Sequence, residues 1–192
     1  MTTLRWLCIL PLWLLVAAPA MPEAVPTTEL PLHSLVLDRL QGQFLLDGAP
    51  YSGFATVEGS DGTVVERAGF VDGRRHGSRD RWYPDGSPSQ HVEYRRGRMH
   101  GTSQTWFRDG TKRSEGRLRD GVADGVQRQW YASGALFKEI RLVDGVEQGL
   151  QRAWRENGAI YNNYEARDGR IYGLRRSKLC FDLDDEAVVL GP

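Results

Sequence analysis

Four histidines, two cysteines and twenty-five carboxylates are the side chains of this chain that could bind a metal, carry redox chemistry or move a proton. His76 and His100 lie 24 residues apart, with Asp124 next in the same spacing, the arrangement closest to a ladder of metal ligands. Geometry argues against it. Equivalent positions two strands apart in a sheet are separated by roughly 9–10 Å, whereas zinc holds its ligand atoms at ~2.0–2.3 Å. His76 and His100 therefore read as polar turn residues. No Gly-x-Ser-x-Gly, phosphate loop or His-Glu-x-x-His is present. The acidic residues fall mostly in turns or opposite arginines, so no carboxylate pair for acid–base work is specified. Cys8 sits in an apolar leader, and Cys180 reads as a small hydrophobe in a terminal strand with no second soft ligand nearby. The expectation is a non-enzymatic protein without cofactor or metal.

The chain as a whole fits that reading. It has 192 residues, with 25 Lys+Arg against 25 Asp+Glu, so the basic excess of a general nucleic-acid binder is missing. Residues 1–20 read as a signal peptide. Arg5 precedes an apolar run over 6–18, and Ala18-Pro19-Ala20 supplies small residues for cleavage. The run is too short for a comfortable membrane span, which needs roughly 20 residues. The chain is therefore expected to be exported, periplasmic or extracellular. Residues 21–34 are rich in Pro, Thr and Glu and read as a flexible spacer.

From residue 53 a repeat takes over. Gly53, Gly77, Gly101, Gly125, Gly149 and Gly173 are spaced by 24, and a second series runs Gly62, Gly86, Gly110, Gly134, Gly158. A third runs Gly73, Gly97, Gly121, Gly145, Gly169. Trp82, Trp106, Trp130 and Trp154 hold one phase, with Glu58 in the first unit. Five full repeats thus cover 53–172. Residues 35–52 form an N-terminal cap, and 173–192 a partial repeat with an acidic tail. Each repeat carries two Asx-Gly-type turn signals about 12 residues apart, the mark of a hairpin. The fold class is all-β: an elongated single-layer antiparallel meander of stacked hairpins.

Parity within strands predicts the two faces. Even positions carry most large apolar residues, among them Phe70, Trp82, Val92, Tyr94, Trp106, Leu118, Trp130, Ile140, Trp154 and Tyr164. Odd positions carry the charges. A two-residue loop would put the tryptophans on the charged face, so three-residue bulged loops are expected at both turns of most repeats. The four tryptophans are then the structural core of the repeat. In the cap, 43–46 reads as a strand followed by an Asp47-Gly48 turn, and 35–40 as a strand or short helix over the apolar face.

These residues resemble the MORN-repeat variant family of bacteria. The resemblance rests on Gly-x4-Trp-Tyr-Pro-Asp-Gly over 77–86, Tyr94-x2-Gly97, His100-Gly101, Trp106-Phe107-Arg108-Asp109-Gly110 and Trp130-Tyr131-Ala132-Ser133-Gly134. It covers roughly residues 38 to 173, and implies an elongated single-layer sheet with interaction roles toward protein or lipid. Many members of that family carry a label as antitoxins of toxin–antitoxin pairs, which makes an immunity role an alternative.

The candidate partner-binding face is the odd one, with Arg79, Arg81, Tyr83, Arg95, Phe107, Arg117, Arg119, Tyr131 and Arg141. Residues 74–128 hold 13 basic against 7 acidic side chains, and 22–73 the reverse, two against eight. Aromatics among arginines suit protein contacts or anionic glycans and lipid headgroups. A solvated face zipped by cross-strand Arg–Glu pairs is the plain alternative. The expected function is a protein-binding module of the cell envelope. Anionic lipid or polysaccharide binding is the second reading and antitoxin-type immunity the third.

Overall fold

Short strands punctuated every dozen residues by turn glycines bury too little to stand alone, and each hairpin must lean on the next. The computed structural model describes residues 24–174. The leader with Cys8, the tail with Cys180, and all but the first two residues of the terminal unit lie outside the described residues. A fourteen-stranded sheet runs through the repeats in sequence order, antiparallel throughout except for the pairing of its first strand, and is left open. The first strands of the five repeats are Gly53–Glu58, Arg74–Trp82, Arg98–Trp106, Gly125–Trp130 and Gly149–Trp154. Val122–Ala123 and Val146–Glu147 precede the last two of these as short lead-in strands. The second strands are Val64–Val71, Pro88–Arg95, Lys112–Arg119, Leu136–Val143 and Ile160–Arg167, and Arg170–Leu174 begins the sixth unit. No α-helix occurs among the described residues.

The first turn of each repeat is the expected three-residue bulged loop. Tyr83 N–H donates to Ser87 O at 2.8 Å and Gly86 N–H to Tyr83 O at 2.9 Å, while Asp85 Oδ1 accepts from Ser87 N–H at 3.0 Å. The second turn departs from expectation. It has two residues, both left-handed, as in Asp72 (φ 49°) and Gly73 (φ 71°), the type I′ geometry that matches strand twist. Its glycine latches one repeat to the one before: Gly97 N–H donates to Arg75 O at 2.7 Å, and Gly121 N–H to Met99 O at 2.7 Å. A latch at constant offset tolerates no insertion, so the 24-residue period is kept without a slip.

Two kinds of bulge follow. Beyond each three-residue loop one extra residue is inserted in the second strand, so Trp82 opposes Pro88 but Arg81 opposes Gln90. The same step occurs between Trp106 and Lys112, Trp130 and Leu136, and Trp154 and Ile160. Between hairpins a wider bulge forms around the left-handed glycine of the first strand, Gly77 with φ 73° being the first of the series. Amide side chains fill some of these gaps. Gln151, only 1% exposed, accepts from Arg141 N–H at 3.0 Å and donates to Arg141 O at 2.9 Å, replacing the missing ladder bonds.

The inserted residue reverses the parity of each hairpin, and this corrects the expected faces. Partners across the ladder share a face, so Arg79 stands with Val92, and Gly77 with Tyr94. Even positions of second strands, including Val92, Tyr94, Ile140 and Tyr164, lie on an inner face with odd positions of first strands. Trp82, Trp106, Trp130 and Trp154 lie on the opposite, outer face with the charged residues of the second strands. The tryptophans are half-buried there and are not the repeat core. Past Gly73, every buried residue among those described is on the inner face: Val92, Tyr94, Gly116, Gln151, Ala153, Tyr164 and Ala166.

The main apolar cluster sits at the N-terminal end. Val36–Asp38, Gln43–Leu46 and Ala49–Pro50 form a three-stranded sheet, deciding the 35–40 segment as a strand. This cap covers the inner face of the first repeat, where Leu35, Tyr51, Ala55, Ala68 and Phe70 are buried together. The segment expected as a spacer is partly ordered structure: Glu29–Pro31 pairs in parallel with Gly53–Glu58 and covers that edge strand.

One turn breaks a local rule. Among the described residues, five of the six type I′ turns place Asp at the first left-handed position, whereas the 96–97 turn places Arg96 there with φ 48°. Asp tolerates this region better than a long side chain does. Arg96→Asn is therefore expected to raise stability by about 0.5–1 kcal/mol. Denaturant midpoints at unchanged slope would register it, and a lower midpoint would contradict it.

Candidate interaction face

On the outer face the register lines up one residue from each strand into a transverse row. It reads Arg67, Asp80, His91, Gln104, Glu115, Arg128, Glu139, Arg152, Asn163. Opposite charges alternate along its C-terminal half and pair. Arg128 contacts Glu115 at 3.4 Å and Glu139 at 2.8 Å, Arg152 contacts Glu139 at 2.7 Å, and Lys112 contacts Glu115 at 2.7 Å. Hydrogen bonds from Lys112 hold the Glu115 carboxyl below its usual range, and those from Arg128 do the same for Glu139. These pairs are partly solvated, each worth no more than about 1 kcal/mol. They zip adjacent hairpins rather than form a reactive centre.

The row's N-terminal half differs. Asp80 Oδ1 lies 2.6 Å from His91 Nδ1, and Asp80 Oδ2 accepts from Ser78 Oγ at 2.7 Å. Gln104 follows in the row, and no cation lies over the flanking indoles of Trp82 and Trp106 among the described residues. Later indoles are covered: Lys112 Nζ lies 5.7 Å from the Trp130 ring centre, and the Arg152 guanidinium 5.3 Å from that of Trp154.

The candidate residues picked from parity do not all share a side. Arg95, Arg117, Arg119 and Arg141 lie on the outer face, whereas Arg79 and Arg81 lie on the inner face and grip Glu66. Arg95 pairs with Asp120 at 2.9 Å and Arg119 with Asp124 at 2.6 Å. Exposed Arg96, Arg98, Arg117 and Arg141 make no ion pair among the described residues. Tyr83 and Tyr131 sit at loop margins as struts, donating from Oη to Trp106 O and Trp154 O, both at 2.9 Å. Phe107 lies in the same phase, with the Arg113 guanidinium 5.7 Å from its ring centre.

Sequence reasoning placed the tryptophans in the core and so missed them as outer-face residues. The Asp-Gly pairs of the second turns were the available signal, since they favour two-residue type I′ loops. His76 and His100 do not meet: His100 turns to Asp120, 3.2 Å away, and no group of metal-ligating side chains converges among the described residues. No family model matches the sequence, and no curated protein matches it.

Proposed function

We propose that this is an exported, non-enzymatic repeat protein of the cell envelope, of MORN-repeat type, that binds a partner protein on its outer face. The observation that supports this most is the row of four half-buried tryptophans at constant spacing on an open face that also carries the unpaired Arg117 and Arg141. Tryptophan and arginine are the residue types that carry most interface energy. A ribbon about 50 Å long offers a continuous surface rather than an enclosed cavity.

The test uses an outer-face variant, Trp106→Ala with Arg117→Glu and Arg141→Glu, in pull-down from envelope extracts. Loss of specific partners relative to the wild type is the expected result. Identical partner lists would count against this face.

The unpaired Arg96, Arg98, Arg117 and Arg141 favour a second reading, an anionic lipid or polysaccharide. It predicts binding to vesicles rich in anionic lipid, or to an anionic polysaccharide, that falls steeply with salt. Absence of binding to both at low salt would remove it.

A further inference from the structure

The outer face is built on one pattern, yet its first indole pair is furnished differently from the rest. Trp82 and Trp106 wall a groove of about 270 Å³, with Pro88 at its margin and Asp80, His91 and Gln104 across its floor. At the position of Pro88 the next repeat carries Lys112, and that lysine reaches over Trp130. Pro88 cannot reach, so the Trp106 ring stays open. Ion pairs that fill the floor between later indoles are replaced here by Asp80–His91 and an unbonded Gln104 amide. The groove is thus the one stretch between neighbouring indoles, among the described residues, that no arginine–carboxylate or lysine–carboxylate pair crosses and no cation caps.

Its hydrogen-bonding capacity is weighted to donors. Both oxygens of Asp80 are already engaged, by His91 and by Ser78. The indole N–H groups of Trp82 and Trp106 have no protein partner among the described residues, and neither does the Gln104 amide. An occupant should therefore present apolar rings to the indoles and bare carbonyl acceptors to the donors. Spacing adds a further condition. The two indoles are two strands apart, about 9.6 Å at ~4.8 Å per strand. A polyproline II helix repeats every three residues at ~3.1 Å each, about 9.3 Å per turn, with its carbonyls outward and no N–H at proline.

We infer that the Trp82–Trp106 groove is a docking site for a proline-rich segment of the partner in polyproline II conformation. One turn of that helix spans the two indoles, prolines pack on the rings, and its carbonyls take the indole and Gln104 N–H groups. This is the mode in which aromatic-lined grooves read such segments, using the ligand's preformed backbone to limit the ordering cost. It rests on the reading of the outer face as a protein-binding surface and names the partner's chemistry there.

The experiment titrates the intact protein with a peptide of ten prolines, followed by tryptophan emission and calorimetry. A glycine–serine peptide of equal length and a neutral β-linked hexasaccharide serve as comparison arms. Pro88→Lys is the decisive variant, because it copies the Lys112–Trp130 arrangement onto Trp106 and leaves the hairpin intact. Decaproline is expected to bind the wild type, and Pro88→Lys and Trp106→Ala to weaken it by roughly tenfold or more. The other two ligands are expected not to bind. No decaproline binding to the wild type, affinity unchanged in Pro88→Lys, or preference for the saccharide would each overturn the inference. Envelope pull-down with Pro88→Lys keeps the two levels apart. Partners retained while decaproline fails would sink the proline-rich site alone, whereas partners indifferent to the whole outer face would sink the protein-binding reading.

Discussion

Phe70→Ala is expected to cost about 3–5 kcal/mol of stability, the range for truncating a fully buried phenylalanine. The ring is 0% exposed. It meets Phe44 edge-on at 5.0 Å and Tyr51 at 6.1 Å, so one side chain joins the cap's strand, the entry to the first repeat and the first hairpin. Removing it leaves a cavity in the one compact core among the described residues, since the rest of the inner face is covered by its own side chains. In an array held by nearest neighbours, the loss falls first on the end unit. Residues 29–51 should then exchange backbone amides faster than the central repeats, and the Gly53–Glu58 edge should be uncovered for pairing with other chains. A denaturant midpoint, exchange measured by segment and the oligomeric state together test this. A loss below about 1 kcal/mol would mean that the cap is not anchored through Phe70.

What could be read from residues alone divides along a physical line. Glycine phases, the three-residue loops around Asp85-Gly86, and the alternation inside each second strand are local properties, and all of them reappear in the fold. Within its own hairpin, the side on which Trp82 stands is not local. It depends on the residues inserted after each loop, Val65, Ser89, Arg113, Phe137 and Tyr161. These five share no chemistry, because a bulge residue is defined by an unmatched position in the partner strand rather than by its type. One such insertion per hairpin carries every indole across the sheet. Glycines within strands, such as Gly77, did signal a local departure from regular pairing. The candidate interaction face was legible as a composition, aromatics among arginines, but its membership was not. Arg79 and Arg81 belong to the opposite side, and the open groove depends on Lys112 having no counterpart where Pro88 stands.

The inner face holds the second large effect. Glu66, 7% exposed, receives Arg79 through Nε at 2.7 Å and Nη2 at 3.0 Å, and Arg81 Nε at 2.7 Å. Burial alone would raise its carboxyl, but hydrogen bonds from Arg79 and Arg81 outweigh it and hold the group below the ordinary glutamate value. Glu66→Gln removes the single charge that two guanidiniums share, and Arg79 cannot easily turn to water. The expected cost near neutral pH is about 2–4 kcal/mol, most of it the penalty of leaving the buried Arg79 guanidinium uncompensated, since the exposed Arg81 turns to water. The pH dependence has a definite sign. A carboxyl whose folded pKa is depressed adds stability that is present above its unfolded pKa and is lost as pH falls through the folded one. Wild-type stability should therefore decline below about pH 4.3 while the glutamine variant, lacking that proton site, declines less, so the two curves approach one another in acid. Adding Arg79→Met and Arg81→Met to Glu66→Gln should recover much of the loss, since apolar replacement of a cluster whose Glu66 and Arg79 are buried is often neutral. If the triple variant is as unstable as the single one, Glu66 contributes shape rather than charge. A constant gap between wild type and Glu66→Gln from pH 7 to pH 3 would say the same.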